Sequence, residues 1–297
     1  MRHSFFVGVV SVLAAVASAQ DAVISDNAPV KQVCGSGLLS GQTPGGSLGG
    51  LELVGLTDDQ KLVCFSEYLP FLSITIGTVS GLDTDTRLLG LDYRPATGAL
   101  YALGDQGGIY TIDPATAEAA IQTRLSAKLS GTSFGVDFNP TVDLLRIVSD
   151  AGQNLAANVV TGATTVNTAL TTPPTAGTTL GVTAAAYTNN DLDPATATTL
   201  FDINTTTDRV LIQAPPGNGT LNPTGNLRVD AGTDAGFDIY SRLRSGITSE
   251  VKAFAALTVG GRARLYTLNL LTGEASLRGT FRSAHQVVDL AVPLDQD

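Results

Sequence analysis

Tryptophan is absent from this 297-residue chain, methionine occurs once and histidine twice. Without tryptophan there is no indole to stack beneath a sugar ring, which weakens a lectin reading. Two histidines, His3 and His285, exclude a multi-histidine zinc centre, and a Ser-His-Asp arrangement would rest on His285 alone. His285 precedes the closing strand and could face the ligand side, but a lone histidine beside a strand reads first as a solvated or hydrogen-bonded residue. Glutamate is scarce too: Glu52, Glu67, Glu118, Glu250 and Glu274 are the whole set. Lysine and arginine number 17 against 27 acidic residues, a net charge of −10. Such a surface repels nucleic acid and anionic membranes, so neither is expected as a partner. No phosphate-cradling glycine loop opens a helix, and the Gly-Gly pairs fall in hairpins.

What is present begins with a targeting pattern. Arg2, an apolar run from Phe5 to Val16 and the small residues Ala17-Ser18-Ala19 read as a secretory signal over 1–19, with a mature chain from Gln20. The run is too short to span a bilayer core, and the polar C-terminal end carries no lipid-anchor signal. Residues 20–50 read as a Gly-rich leader and 51–297 as one domain. In an exported chain Cys34 and Cys64 are expected to form a disulfide tying the leader to the domain. The sequons at Asn204 and Asn218 are expected on surface turns, where they would accept N-glycans in a eukaryotic host.

The domain is organised by a repeat. Gly90-Leu91-Asp92-Tyr93 returns as Gly135-Val136-Asp137-Phe138, loosely as Ala184-Ala185-Ala186-Tyr187, then as Gly236-Phe237-Asp238-Ile239 and Asp289-Leu290-Ala291-Val292. The steps between these starts are 45, 49, 52 and 53 residues. Each of the first four copies is followed by further short alternating runs bounded by turn residues, a spacing that predicts one four-stranded propeller blade per repeat. Five blades are expected, near 88–126, 132–170, 181–227 and 236–281, with the first built from strands at 51–56, 61–66 and 73–79 plus Val287 to Val292. Laying the C-terminal strand into the first blade closes the ring and removes open sheet edges. The fold class predicted is all-β, a five-bladed β-propeller.

Several stretches also carry a resemblance. Leu89 to Gly98, Tyr110 to Thr116, Gly131 to Asp143, Arg146 to Asn154 and Ala185 to Asn189 together resemble the uncharacterised secreted family known as domain of unknown function 4394. The likeness runs through most of Leu51 to Leu294. It implies a propeller-like fold and a secreted life, and brings no catalytic residues with it. The chain departs from the pattern in its leader, its cysteine pair and Asp289 where glycine is usual.

Candidate chemistry lies with aspartate. The second-to-third-strand turns carry Asp58 and Asp59, Asp105, Asp150 and Asp208, while Gly260-Gly261-Arg262 breaks the series. Blade-to-blade loops add Asp83, Asp85, Asp230 and Asp234. Asp58, Asp105, Asp150 and Asp208 are therefore candidate ligand-binding residues on one face, and Asp105 and Asp150 candidate ligands for Ca²⁺, a hard cation that takes oxygen donors. The blander reading makes each a turn former bonding its own backbone. Asp92, Asp137 and Asp238 could line the central channel, but the same residue repeated by symmetry argues first for bonding to backbone of a neighbouring strand or turn. Tyr93, Tyr187 and Tyr240 read as packing between blades. The expectation is a monomeric extracellular scaffold binding a protein or glycan. The alternatives are a carbohydrate-active hydrolase using aspartates, although no pair stands out, and a passive structural protein.

Overall fold

The computed structural model describes residues 50–189, 196–244 and 247–294. The signal segment, nearly all of the leader and Cys34 lie outside the described residues. Twenty strands form five four-stranded antiparallel sheets. After β1 (Glu52–Thr57), β2 (Lys61–Ser66) and β3 (Ile74–Thr78) come the second blade, β4 (Leu88–Arg94), β5 (Ala99–Gly104), β6 (Gly108–Ile112) and β7 (Ala119–Arg124). The third holds β8 (Phe134–Asn139), β9 (Leu144–Ser149), β10 (Asn154–Ala157) and β11 (Thr164–Val166). The fourth holds β12 (Val182–Tyr187), β13 (Leu200–Asn204), β14 (Arg209–Gln213) and β15 (Leu221–Asn226). The fifth holds β16 (Ala235–Arg244), β17 (Ile247–Val259), β18 (Arg262–Leu268) and β19 (Ala275–Thr280), and β20 (Val287–Ala291) follows it. As expected, β20 pairs with β1, in the order β20-β1-β2-β3, so the first blade is assembled from both ends of the domain.

Burial explains the composition of each strand. The innermost strands are covered on both faces; all six residues of β12, Val-Thr-Ala-Ala-Ala-Tyr, are buried, so they read as small, unbroken runs. The fourth strands face water, as in Ile121-Gln122 of β7 and Thr165-Val166 of β11. Apolar side chains from β1, β2, β4 and β5 meet between the first and second blades, and matching clusters fill the other four gaps. Each blade is therefore stabilised by its neighbours rather than by a core of its own. Among the described residues no helix is long and apolar enough to cross a membrane.

The inner strands β20, β4, β8, β12 and β16 contact one another in cyclic order. Their repeated glycine is a consequence of that crowding. A Cβ on Gly135 would lie 2.5 Å from the carbonyl carbon of Ala184 and press on the Ala185 nitrogen; one on Gly236 would lie 2.7 Å from the Leu290 nitrogen. Both obstacles are backbone of the next blade and cannot rotate aside. Gly135→Ala is expected to destabilise the fold by roughly 1–3 kcal/mol, the usual cost of overpacking, whereas Gly232→Ala, whose nearest neighbour would be 3.4 Å away, should cost little; urea unfolding of both variants measures the difference.

Candidate functional site

The inner strands are sheet edges, and their outward N–H groups have no ladder partner. Aspartate supplies one. Asp92 on β4 accepts from the Phe138 N–H on β8 at 2.7 Å, and Asp137 on β8 accepts from the Tyr187 N–H on β12 at 3.0 Å. Asp238 on β16 accepts from the Val292 N–H just past β20 at 2.6 Å. Asp289 on β20 accepts from the Leu91 N–H on β4 at 2.7 Å. Neighbouring inner strands are thereby stitched in sequence, as the repeated aspartate implied. The break falls between β12 and β16, where the repeat has Ala186; there the Asn189 N–H donates to Ser241 Oγ at 2.9 Å. Asp289, the departure from glycine, belongs to the same stitching.

All four carboxyls are buried, between 4% and 8% exposed. One oxygen each of Asp92, Asp137 and Asp238 lies within 4.8 Å of the other two. Burial pushes the Asp92 carboxyl well above the usual carboxylate range, with the charge of Asp238 adding to it. Asp137 is raised by burial and by the charges of Asp92 and Asp238, and Asp289 mainly by burial. Asp238 is pushed up to about 7 by burial, against two backbone N–H bonds that favour its charged form. The three converging carboxyls line a small cavity of ≈ 10 Å³ with Tyr93, Pro95, Phe138, Tyr187, Asn189, Val292 and Leu294. Tyr93 is 6% exposed and its hydroxyl has no hydrogen-bond partner among the described residues. Its phenol is held above its ordinary pKa by burial and by the charges of Asp92 and Asp238.

A second opening, of ≈ 100 Å³, lies where the inner strands begin. Asp58, Arg87, Thr132, Ser133, Thr233 and Asp234 are among its polar walls. Of the four turn aspartates proposed from sequence, only Asp58 lines this mouth. Asp105 instead clamps the segment before β4, accepting from the Thr86 N–H at 2.8 Å and the Thr86 hydroxyl at 2.6 Å. Asp150 repeats the clamp before β8, with Thr132 N–H at 2.8 Å and Thr132 hydroxyl at 2.6 Å. These bonds outweigh partial burial and lower both pKa values. Asp208 accepts from the Ala231 N–H at 2.9 Å. Asp59 takes the Thr57 hydroxyl at 2.6 Å and pairs with Lys61. Asp85 is buried against the Tyr110 hydroxyl, at 2.7 Å, and Arg124, at 3.1 Å.

His285 is 5% exposed. Its ring nitrogens meet Ser73 Oγ at 2.8 Å and Thr75 Oγ1 at 2.9 Å, fastening the segment before β20 to β3. Burial, with Arg282 and Lys61 nearby, lowers its pKa, so it is a neutral structural residue. Asn204 corrects the sequence reading of a surface turn. It is 1% exposed, donates to the Leu180 carbonyl at 2.8 Å and accepts from the Thr206 and Thr207 N–H groups at 3.0 Å. Its sequon is a turn motif, and its amide nitrogen is inside the protein. Asn218 is exposed. Cys64 is buried on β2; the expected bond to Cys34 involves a residue outside the described ones.

The family model for "Domain of unknown function (DUF4394)" matches residues 61–291. The chain belongs to this family. No curated protein matches it. Among solved structures, it is similar to a structural genomics protein of unknown function from Bacteroides thetaiotaomicron VPI-5482, with 13% identity and a TM-score of 0.50 over 84% of this chain. The chain spans 64% of the length of that protein, and the likeness is one of fold. Weaker similarities include an auxiliary nutrient binding protein from Bacteroides ovatus ATCC 8483, at 15% identity, TM-score 0.37, 75% of this chain and 57% of the other. Another is the major Malassezia sympodialis allergen Mala s 1, at 13% identity, TM-score 0.38, 70% of this chain and 67% of the other.

Two outcomes follow from these placements. A histidine buried neutral contributes stability that is full above its unfolded pKa of about 6.5 and is lost as pH falls through the lower folded value. The stability advantage of the wild type over His285→Gln, measured by urea unfolding, should therefore shrink below about pH 6.5; a pH-independent difference would rule out the neutral buried ring. In a glycosylating host, Asn218→Gln should abolish any N-glycan, while Asn204→Gln should leave the glycan mass unchanged and lower stability. Mass spectrometry of both variants decides.

Proposed function

We propose that the chain is a secreted propeller serving as a rigid extracellular binding scaffold, taking a protein or glycan partner at the polar mouth of its central channel. The observation that carries this reading is the contrast in how polar groups are used. Around the mouth, the Arg87 guanidinium and the Asp58 and Asp234 carboxylates are exposed, and none has an ion-pair partner among the described residues. The turn aspartates farther out are committed to clamping loops. A concave opening with a few uncommitted polar heads offers what recognition of a polar group on a partner's surface needs. Held on five mutually packed blades, those heads are preorganised, which reduces the entropy lost on binding. The signal pattern at 1–19 supports export.

A carbohydrate-active hydrolase is the weaker reading. The carboxyls that approach one another are bonded to backbone around a cavity of ≈ 10 Å³, room for about one water or ion and far below the size of pockets that take a sugar. The scaffold reading is tested by screening the mature chain, immobilised through its C-terminal end, against libraries of peptides and oligosaccharides. A captured partner should lose about tenfold or more in affinity with Arg87→Ala or Asp234→Ala, since either leaves a desolvated group of the partner unpaired. Binding indifferent to both substitutions would remove the mouth from the proposal.

A further inference from the structure

We propose that Asp92, Asp137 and Asp238 bind a calcium-sized divalent cation in the inner cavity of the channel. The site is distinct from the mouth and from the turn aspartates Asp105 and Asp150. The three side chains are 7%, 4% and 7% exposed, and one oxygen of each lies within 4.8 Å of the others. Ca²⁺ holds oxygens at about 2.4 Å, so no two of its ligands need stand more than about 4.8 Å apart, a limit that the three carboxyl oxygens meet. With carboxylates and no thiol or imidazole in the set, the donors are those of a hard cation.

The stitching bonds do not exhaust these groups. Asp137 accepts through Oδ1, which leaves its other oxygen for another partner, while Asp92 accepts from the Phe138 N–H through Oδ2 and also takes the Tyr93 N–H. Asp238 uses both oxygens on backbone N–H groups, and each retains a second lone pair. An asparagine would accept the same N–H bonds without bringing like charges together, so stitching alone does not account for the choice of aspartate. None of Asp92, Asp137, Asp238 and Asp289 forms an ion pair with lysine or arginine among the described residues. Buried carboxylates gathered without a cation are costly.

Tyr93 is the independent sign of a ligand. It lines the same cavity, is more than nine-tenths buried and leaves its hydroxyl without a partner among the described residues. The phenol is close enough to feel the charges of Asp92 and Asp238, and its oxygen adds a donor to the carboxylate set, either by direct ligation or through a coordinated water. A cation there would join inner strands β4, β8 and β16, acting as a hub for three of the five blades.

The test uses the full mature chain, stripped with chelator and returned to CaCl₂ alone. The melting temperature should rise by several degrees with Ca²⁺ by mass action, and elemental analysis of the untreated protein should find close to one calcium per chain. Asp92→Asn and Asp137→Asn keep an acceptor for the backbone bond and should weaken Ca²⁺ binding at least about tenfold, the scale seen when a metal loses even an outer partner. Asp105→Asn and Asp150→Asn should leave it unchanged. Should the aspartate variants fail to fold, Tb³⁺ provides a second reading on the wild type. Its emission is excited through a nearby phenol, and with no tryptophan present it should fall in Tyr93→Phe and be nearly lost when Tyr187, which lines the same cavity, is also replaced by Phe. No calcium and no thermal shift would overturn the proposal, as would a shift that survives Asp92→Asn and Asp137→Asn.

Discussion

A propeller brings the edges of five sheets to one axis, and each edge carries backbone N–H groups without ladder partners. Leaving them unpaired inside the protein would cost about 1–3 kcal/mol apiece. The carboxylate-to-amide bonds from Asp92, Asp137, Asp238 and Asp289 answer that demand. They work only because the strands stand close enough for a two-carbon side chain to reach across, and that closeness requires glycine or alanine beside them. Crowding, small residues and short acids are one constraint seen from three directions.

From this constraint the two ends of the channel acquire different characters. Where the inner strands begin, loops diverge and polar heads face water; toward the other end of those strands, acids converge in a narrow space bounded by Phe138, Val292 and Leu294. Electrostatic interactions that are screened at the mouth are strong inside. The same residue type therefore does separate jobs. Asp105 is a loop clamp held in its charged form by hydroxyl and amide donors, while Asp92 is a buried acid whose charge is opposed by its surroundings.

Much of the fold was legible because it is written in repetition. The Gly-x-Asp starts, the turn residues and the step lengths locate the blades to within a few residues, and the Val287 to Val292 run announces the closing strand. The stitching role of Asp92, Asp137 and Asp238 was legible for the same reason. Their convergence was not, since residues 92, 137 and 238 share a cavity only after ring closure. Turn aspartates drew attention because turns are local and visible. Asn204 misled because Asn-x-Thr is also the sequence of an Asx turn, and only packing against Leu180 tells the two apart. The signal available for the cavity was the third-position acid recurring on strands that ought to be apolar throughout.

The closing blade has a kinetic side. In its register Leu56 faces Asp289, a contact between residues near opposite ends of the domain, and such pairings are slow to find because the intervening chain must be ordered first. Until β20 arrives, β1 is an open edge, Leu91 lacks its acceptor and the first and fifth blades have no common core. Closure is therefore the step that turns a curved array of sheets into a cooperative unit, and a chain held short of it would resemble a solenoid with two unprotected ends, open to pairing with its own copies.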